Sequence, residues 1–264
     1  MMMSGGSRGI GLAIALRLAG DGANVALIAK TEQPHPKLPG TIHTAAAEIE
    51  QAGGTAEPIV GDVRDEAGVA AAVEQTVRRF GGIDVVVNNA SAINLAPMAD
   101  LEVKRFDLMQ QINARGTFVL TRACLPHLRR SSRPRVLTLS PPLSADPKWL
   151  RGHSAYTLSK MGMTMLTLGL AADEAEHEIR ANCLWPRTLI ATAAVQNLLG
   201  GDEAMRRART PEIYADAAYE LLASDRSGEA LIDDEVLAGR DLSRYHADPS
   251  GELALDLFVD GWPD

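Results

Sequence analysis

The stretch SGGSRGIGLAIALRLAGDGANVALIA (residues 4–29) decides the fold. It opens with a glycine-rich loop, continues with the apolar pattern of a helix and ends in an unbroken apolar run, which is typical of a buried parallel strand. Glycines in such a loop let the backbone turn tightly and let a phosphate approach the helix N-terminus, whose free N–H groups favour an anion. The stretch predicts a dinucleotide-binding turn, although many βα turns contain glycine without binding a ligand.

The rest of the chain continues this alternation of strand and helix. Apolar runs predict buried strands at residues 83–88, 135–140 and 179–185. The segments TAAAEIEQAGG (residues 44–54) and GVAAAVEQTVRRFG (residues 68–81) predict helices, because the second repeats apolar residues every three or four positions and the first ends at a glycine pair. The alternation predicts an α/β fold with a parallel sheet, in one domain over residues 1–264.

The composition is that of an ordinary globular domain, with 46% hydrophobic residues, 23% charged residues and a mean hydropathy of -0.05. A net charge of -8 and the lack of a Lys/Arg cluster argue against nucleic-acid binding. Two cysteines, Cys124 and Cys183, form no CxxC pattern and predict reduced thiols. We recognise no membrane span or targeting signal, and therefore expect a cytoplasmic protein without a membrane or metal site.

Two segments depart from this pattern. Only Met1 to Met3 precede the glycine-rich loop, where the central strand of such a sheet usually has about five or six residues. Either the natural chain begins earlier, or these methionines are the remnant of that strand.

The segment TEQPHPKLPG (residues 31–40) has no periodicity and predicts a long loop, which is either a functional flap or a surface excursion.

The end of the strand NVALIA indicates which dinucleotide is bound. NAD sites place an acid there to hold the ribose hydroxyls, whereas this sequence has Lys30 between Ala29 and Thr31. Together with Arg8 in the glycine-rich loop, Lys30 could flank a 2′-phosphate, which favours NADP(H) over NAD(H). Both cations could instead be solvated surface charges, and Glu32 leaves NAD(H) possible.

The stretch YTLSK (residues 156–160) puts Tyr156 and Lys160 one helical turn apart. A free tyrosine has a pKa of about 10, and a nearby ammonium group lowers it by favouring the phenolate. Such a phenol can exchange a proton with an oxygen while a hydride moves to or from the adjacent carbon. The plainer alternative is a half-buried tyrosine with its hydroxyl in water, beside a solvated lysine.

These motifs, in this order, resemble the short-chain dehydrogenase/reductase family. The matching segments are SGGSRGIG with Ser4 for the family's threonine, GDV (residues 61–63), NNAS (residues 88–91) with Ser91 for glycine, NARGTF (residues 113–118), YTLSK, and WPRT (residues 185–188) with Arg187 for glycine. More narrowly, KTEQPHPKLPGTIHTAAAEIE, LSPPL and ALIDDEVL resemble the hydroxysteroid dehydrogenase-like protein 2 subgroup, without the sterol-carrier domain of some animal members. The resemblance implies a Rossmann-type doubly wound parallel sheet of about seven strands with helices on both faces, and a homotetramer or homodimer.

The resemblance also implies residue roles. Tyr156 is the catalytic acid/base, Lys160 tunes it and holds the nicotinamide ribose, and Asn113 binds a water that continues the proton path. Asn113 could instead be an interior amide bonded to backbone. The implied cofactor-binding residues are Gly5, Ser7, Arg8, Gly9, Ile10, Gly11, Lys30, Asp62, Val63, Asn89, Ala90, Tyr156, Lys160, Pro186 and Thr188.

The family's serine, which binds the reacting carbonyl oxygen, is not in its usual place. Leu143 stands thirteen residues before Tyr156, and if the loop is longer by about two residues the serine position aligns with Pro141. Loss of one such donor costs about 10²–10³ in rate. The candidates to replace it are Ser140, Ser144, His153 and a backbone N–H.

The sequence thus predicts an NADP(H)-dependent oxidoreductase that interconverts a secondary alcohol and a carbonyl, with Tyr156 as acid/base. The alternative is an NADP(H)-binding redox sensor with little or no turnover, which Ser91, Arg187 and the missing serine favour. By resemblance, residues 189–209 form a mobile substrate lid, and the alternative is one more packed helix. The apolar half of this segment predicts a small-molecule substrate that is apolar or lipid-like.

Overall fold

Seven parallel strands form one sheet in the computed structural model, which describes residues 1–36 and 38–262. The strands are β1 (Met2–Ser4), β2 (Asn24–Ala29), β3 (Thr55–Val60), β4 (Val85–Asn88), β5 (Arg135–Leu139), β6 (Arg180–Trp185) and β7 (Ala230–Ile232). Their order across the sheet is β3-β2-β1-β4-β5-β6-β7. The direction of winding reverses between β1 and β4, which is where doubly wound sheets bind their ligands. The predicted Rossmann-type fold is confirmed.

Helices cover both faces of this sheet. They are α1 (Gly9–Ala19), α2 (Ile42–Gln51), α3 (Glu66–Phe80), α4 (Val103–Ile112), α5 (Ala114–Leu128), α6 (Pro147–Leu150), α7 (Ser154–Asp173), α8 (Ala193–Leu198), α9 (Gly201–Arg206), α10 (Pro211–Ala223) and α11 (Asp233–Val236). One apolar core lies under α1, α2 and α10, and a second lies under α3 and α5. Among the described residues, no helix is long and apolar enough to cross a membrane.

The central strand β1 is formed by the opening methionines. Met2 and Met3 are fully buried, one in each of the two apolar cores. The strand pairs on both sides, with Ala26–Ile28 of β2 and with Val86–Asn88 of β4. The opening methionines thus contribute to the central strand, which is three residues long and paired on both sides.

Local sequence explains where the predicted helices begin and end. Thr41 and Thr44 form a reciprocal capping box at the start of α2, which satisfies two N–H groups that a helix start otherwise leaves free. After α2 the chain turns at Gly53 with a φ of 104°. The N-cap of α3 is Asp65, whose carboxylate accepts from the Ala67 N–H, and α3 ends at Gly81 with a φ of 84°. Left-handed values of this kind favour glycine.

Parallel strands bring their carboxyl ends to the same edge of a sheet. The ends of β1, β4, β5 and β6 lead directly into the glycine-rich loop, the NNAS segment, the loop before α7 and the WPRT segment. The motifs that are scattered over the sequence therefore meet at one edge.

Candidate active site

The glycine-rich loop is locked to the end of β4 through Ser4. The Ser4 Oγ accepts from the N–H groups of Asn89 and Ala90, each at 3.2 Å, and the Asn89 Nδ2 donates to the Ser4 carbonyl at 3.0 Å. A Cβ on Gly5 or Gly11 would lie 2.4 or 2.5 Å from that Nδ2. Both glycines are therefore required by the close approach of the Asn89 amide.

The loop delivers the start of α1 to the edge of the sheet. Gly9 has a φ of 58°, and the N-cap residue Arg8 makes no side-chain hydrogen bond to the N–H groups of the first turn. Uncapped N–H groups at a helix start, together with the helix dipole, form a site for an anion such as a phosphate. Of the other predicted cofactor residues, Ser7, Val63 and Pro186 are buried and Ile10 is half-buried.

Arg8 holds the long loop of residues 31–40 against the glycine-rich loop. Its guanidinium donates to the carbonyls of Pro39 at 2.8 Å and Gly40 at 3.1 Å. A Cβ on Gly40 would lie 2.7 Å from the Ser7 carbonyl oxygen, so the two loops are in close contact. The loop is therefore packed beside the predicted phosphate site; Lys37 lies outside the described residues.

The end of β2 gathers cations around one carboxylate. The Nζ of Lys30 lies 3.5 Å from Asp62, and Arg64 binds the same carboxylate at 2.6 Å. The hydrogen bonds from Arg64 lower the pKa of Asp62 to about 2. Two cations, Lys30 and Arg64, thus flank Asp62, whereas the Glu32 carboxylate lies 3.9 Å from the His43 ring.

Tyr156 and Lys160 are both buried on the inner face of α7, with 5% and 3% of their surface exposed. The Lys160 Nζ donates to the carbonyl of Leu139, at the end of β5, at 2.9 Å. It also lies 5.3 Å from the ring centroid of Trp185, at the end of β6. Burial disfavours the ammonium and lowers the pKa of Lys160 to about 7. The alternative of a solvated lysine is wrong.

The predicted direction of the Tyr156 pKa shift is also wrong for this arrangement. Burial raises the pKa of the phenol well above its ordinary value, and the nearby Asp256 carboxylate raises it further. The cost of burying a phenolate exceeds what one neighbouring amine can offset. At neutral pH the Tyr156 hydroxyl therefore keeps its proton.

Asn113 lies at the junction of α4 and α5, and its amide is fully used. The Oδ1 accepts from the Ala92 N–H at 2.7 Å, and the Nδ2 donates to the Ala92 carbonyl at 2.9 Å and to the Ser159 Oγ at 2.8 Å. Ser159 in turn donates to the Tyr156 carbonyl at 2.8 Å. The side chain thus joins the loop after β4 to α7, as in the plainer alternative, and the water-binding role stays a prediction.

The two serines that could replace the family's serine have other partners. Ser140 is fully buried and its Oγ accepts from the Thr164 hydroxyl at 2.9 Å. The Oγ of Ser144 accepts from the Asp146 N–H at 3.2 Å, closing a local turn. Neither contact involves Tyr156. His153 also has a partner, since its Nδ1 lies 3.0 Å from the Thr157 Oγ1, and its ring meets that of Phe258, which stacks on Tyr156, edge-on at 5.9 Å.

The segment after β6 contains a polar group that suits a nicotinamide carboxamide. Thr188 is fully buried, and its Oγ1 has no hydrogen-bond partner within the described ranges. Buried hydroxyls are normally paired, so this atom fits the polar end of a bound cofactor.

The neighbouring Arg187 side chain pairs with two carboxylates of α11, Asp234 at 3.0 Å and Glu235 at 2.6 Å. The arginine in place of glycine therefore ties β6 to α11.

The predicted substrate lid of residues 189–209 contains two short helices, α8 and α9, and not one packed helix. Its ends pair with each other through Ile190 and Arg209. Ala254 joins both ends, accepting from the Leu189 N–H at 3.0 Å and donating to the Arg207 carbonyl at 2.8 Å. Residues 189–209 are thus connected to a C-terminal segment of residues 254–262, which we call the cover segment; their role as a lid stays a prediction.

Sequence analysis missed the cover segment, although it lies against Tyr156. The ring of Phe258 stacks on the ring of Tyr156 with centroids 6.2 Å apart. Asp256 is half-buried, and the loss of water around its carboxyl raises its pKa to about 7. The only sequence signal was an aromatic and apolar run, residues 257–262, in an otherwise polar C-terminal stretch.

Comparison with known proteins identifies one matching family and, among the relatives, two proteins of the same name. The model of the short chain dehydrogenase family matches residues 1–201. Hydroxysteroid dehydrogenase-like protein 2 of Danio rerio is 50% identical over 269 residues, which cover 100% of this chain and 64% of the relative. The human protein of that name is 47% identical, with the same coverage. This chain thus spans somewhat less than two thirds of the length of these curated relatives.

Solved structures agree with this result. A short chain dehydrogenase from Mycobacterium thermoresistibile is 58% identical with a TM-score of 0.93, covering 98% of this chain and 94% of that one. A metagenomic short-chain oxidoreductase solved in complex with NADP is 26% identical with a TM-score of 0.70, covering 88% and 94%.

The raised pKa of Asp256 predicts how stability changes with pH. A carboxyl whose folded pKa is raised stabilises the fold below its unfolded pKa and loses that contribution as pH rises through the folded value, here about 7. Asp256→Asn removes this titration. The melting temperature of the variant relative to wild type should therefore be higher at about pH 8 than at about pH 5, by calorimetry.

Asp260→Asn is the matched control, since Asp260 lies in the same segment with an exposed carboxylate paired to Lys148. Its melting temperature relative to wild type should change little between the two pH values. An Asp256→Asn difference that is equal at both pH values would contradict the burial of this carboxyl.

Proposed function

The chain belongs to the short-chain dehydrogenase family, and we propose that it is an NADP(H)-dependent oxidoreductase that interconverts a secondary alcohol and a carbonyl. The observation that carries this proposal is the meeting, at one edge of the sheet, of the uncapped start of α1 and the buried Tyr156–Lys160 pair. Members of this family bind NAD(P)(H), and the bound dinucleotide supplies or accepts the hydride. Side chains and backbone groups of this chain would bind the cofactor and transfer the proton.

The binding residues divide between the two ends of the cofactor. The first turn of α1 and the glycine-rich loop would hold the pyrophosphate on backbone N–H groups. At the nicotinamide end, the unpartnered hydroxyl of Thr188 suits the carboxamide, and Lys160 suits the ribose hydroxyls.

Tyr156 would donate its proton to the carbonyl oxygen during reduction. A phenol whose pKa is raised by burial stays protonated at neutral pH, which is the form that a general acid needs. The phenolate left behind would be stabilised by the protonated form of Lys160, which is available because its pKa of about 7 lies near neutrality. In the oxidation direction Tyr156 would have to start as the phenolate and accept the proton of the alcohol.

The cations at the end of β2 support NADP(H) over NAD(H). Lys30 is 56% exposed and its partner Asp62 is already bound by Arg64, so Lys30 can turn to an incoming phosphate at small cost. Arg8 adds less to this choice, because its guanidinium already donates to the Pro39 and Gly40 carbonyls.

Lys30→Ala should separate the two cofactors. A charge-assisted hydrogen bond is worth about 1.5–3 kcal/mol, so the Kd for NADPH, measured by fluorescence titration, should rise at least about tenfold. The Kd for NADH should change by less than about twofold. Arg78→Ala is the control, since Arg78 is an exposed cation paired with Glu74. Equal losses for both cofactors would contradict a 2′-phosphate contact.

Tyr156→Phe tests the acid/base role. Loss of the hydroxyl should lower the turnover of NADPH with a panel of ketones, aldehydes and acyl thioesters by at least about 10²-fold, followed by absorbance. NADPH binding should be kept, because the ring still fills its buried place. Tyr219→Phe is the matched control, since Tyr219 packs on Arg17 away from this edge.

Turnover that survives in Tyr156→Phe would contradict this role. Tight NADPH binding without turnover of any compound by the wild-type chain would instead favour the redox-sensor alternative. That alternative has no support in the relatives, and one of its arguments is weakened because Arg187 is bound to α11.

The proposed substrate is a small apolar carbonyl or alcohol, because aromatic and methionine side chains surround Tyr156.

We also propose a homo-oligomer, supported by exposed Phe118 of α5 and exposed Leu158 and Met165 of α7. Large apolar side chains that are exposed in one chain can be covered in an interface, and light scattering should give a mass of at least two chains. The cytoplasmic location stays a prediction.

A further inference from the structure

The cover segment is held to the nicotinamide side of the site by backbone. Asp256 donates its N–H to the Arg187 carbonyl at 2.9 Å, and Leu189 donates to the Ala254 carbonyl at 3.0 Å. Residues Thr188 and Leu255 form an antiparallel bridge between them. The segment therefore runs antiparallel to the chain that follows β6, beside Thr188.

Side chains fix the next part of the segment. The Trp185 Nε1 donates to the Leu257 carbonyl at 2.7 Å, and an Arg187 Nη1 donates to the Gly261 carbonyl at 2.7 Å. Trp185 and Arg187 are both buried, so these two bonds lie on either side of Phe258 and determine where its ring is placed.

Phe258 enters the site at the cost of backbone strain. Its φ is 67°, a left-handed value that is rare for a bulky residue. Its ring contacts four aromatic rings, with centroid distances of 5.8 Å to Trp149, 5.8 Å to Trp185, 5.9 Å to His153 and 6.2 Å to Tyr156. Aromatic pairs at such distances are favourable, and together they offset the strain.

The Tyr156 ring is nearly parallel to that of Phe258, at an angle of 29°, and is only 5% exposed. Because the Phe258 ring stacks on this buried ring, we expect a carbonyl compound that reaches Tyr156 to lie against Phe258 or to displace it.

We propose that Phe258 is the residue that determines substrate specificity, as a wall beside Tyr156 that admits unbranched or flat apolar carbonyl compounds and excludes bulky ones. The proposal rests on the proposed oxidoreductase function. Trp149 and Trp185 pack against Phe258 and extend this apolar, aromatic wall. The substrate group next to the reacting carbonyl is therefore an aliphatic chain or a planar ring.

Phe258→Gly is the most direct test, because glycine removes the ring and adopts a φ of 67° without strain. The kcat/KM for 1-adamantyl methyl ketone relative to that for 2-heptanone, both with NADPH, should rise at least about tenfold. Phe258→Leu, which keeps apolar packing, should give a smaller rise and guards against unfolding of the glycine variant. Trp262→Ala is the control: Trp262 lies in the same segment and is 51% exposed, and its variant should leave the ratio unchanged.

A second readout does not depend on turnover. Nitration of Tyr156 by tetranitromethane, located by mass spectrometry, should be slow in the wild-type chain and at least about tenfold faster in Phe258→Gly, because removal of the covering ring lets water and reagent reach the phenol and favours the reactive phenolate. An unchanged ketone ratio in both Phe258 variants, or unchanged nitration, would overturn the proposal. If nitration rises but the wild-type chain reduces neither ketone nor any compound of the wider panel, the oxidoreductase function itself fails, and with it the specificity role.

Discussion

The Lys160 ammonium is buried, and the contacts that stabilise it hold the other parts of the site in place. A buried charge is tolerated only when other groups replace its water. Here the replacements come from three places: the Leu139 carbonyl ends β5, the Trp185 ring ends β6, and the Asp256 carboxylate lies in the cover segment. One amine thus connects α7 to two strands and to the C-terminal segment.

The same burial determines the chemistry. Because the site excludes water, the pKa of Lys160 falls to about 7 and that of Asp256 rises to about 7, whereas the Tyr156 phenol keeps its proton. Two groups that change charge near neutrality therefore lie around a proton donor. Groups with strongly shifted pKa values in one place are typical of active sites, and the unpartnered Thr188 hydroxyl nearby is the kind of atom that a bound cofactor would satisfy.

The sequence predicted what depends on local pattern. The glycine-rich loop, strands β2 and β4 to β6, and the spacing of Tyr156 and Lys160 follow from residues that are close in the chain. Strand β3 was not predicted because Pro58 interrupts its apolar run; the proline is tolerated since β3 lies at the edge of the sheet. Burial depends on contacts between distant segments, so the rise of the Tyr156 pKa could not be predicted from the sequence.

The cover segment was missed for a related reason. Asp256 and Phe258 lie about a hundred residues after Tyr156 in the chain, and no periodic pattern or known spacing links them to it. The sequence likewise predicts that Arg187 replaces a glycine next to the nicotinamide. In the structure, its side chain contacts α11 and the Gly261 carbonyl instead. Contacts between distant segments of this kind become visible only once the sheet has brought the strand ends together.

The pKa of Lys160 is the quantity that tests this account most directly. In protein labelled with ¹³C and ¹⁵N at lysine, the Lys160 side-chain signals can be assigned by comparison with Lys160→Met and followed as pH is changed. We expect a transition near a pKa of about 7. A transition near the ordinary lysine value of about 10.4 would mean that the amine is in water, and the arrangement of Tyr156, Asp256 and the cover segment around it would be wrong.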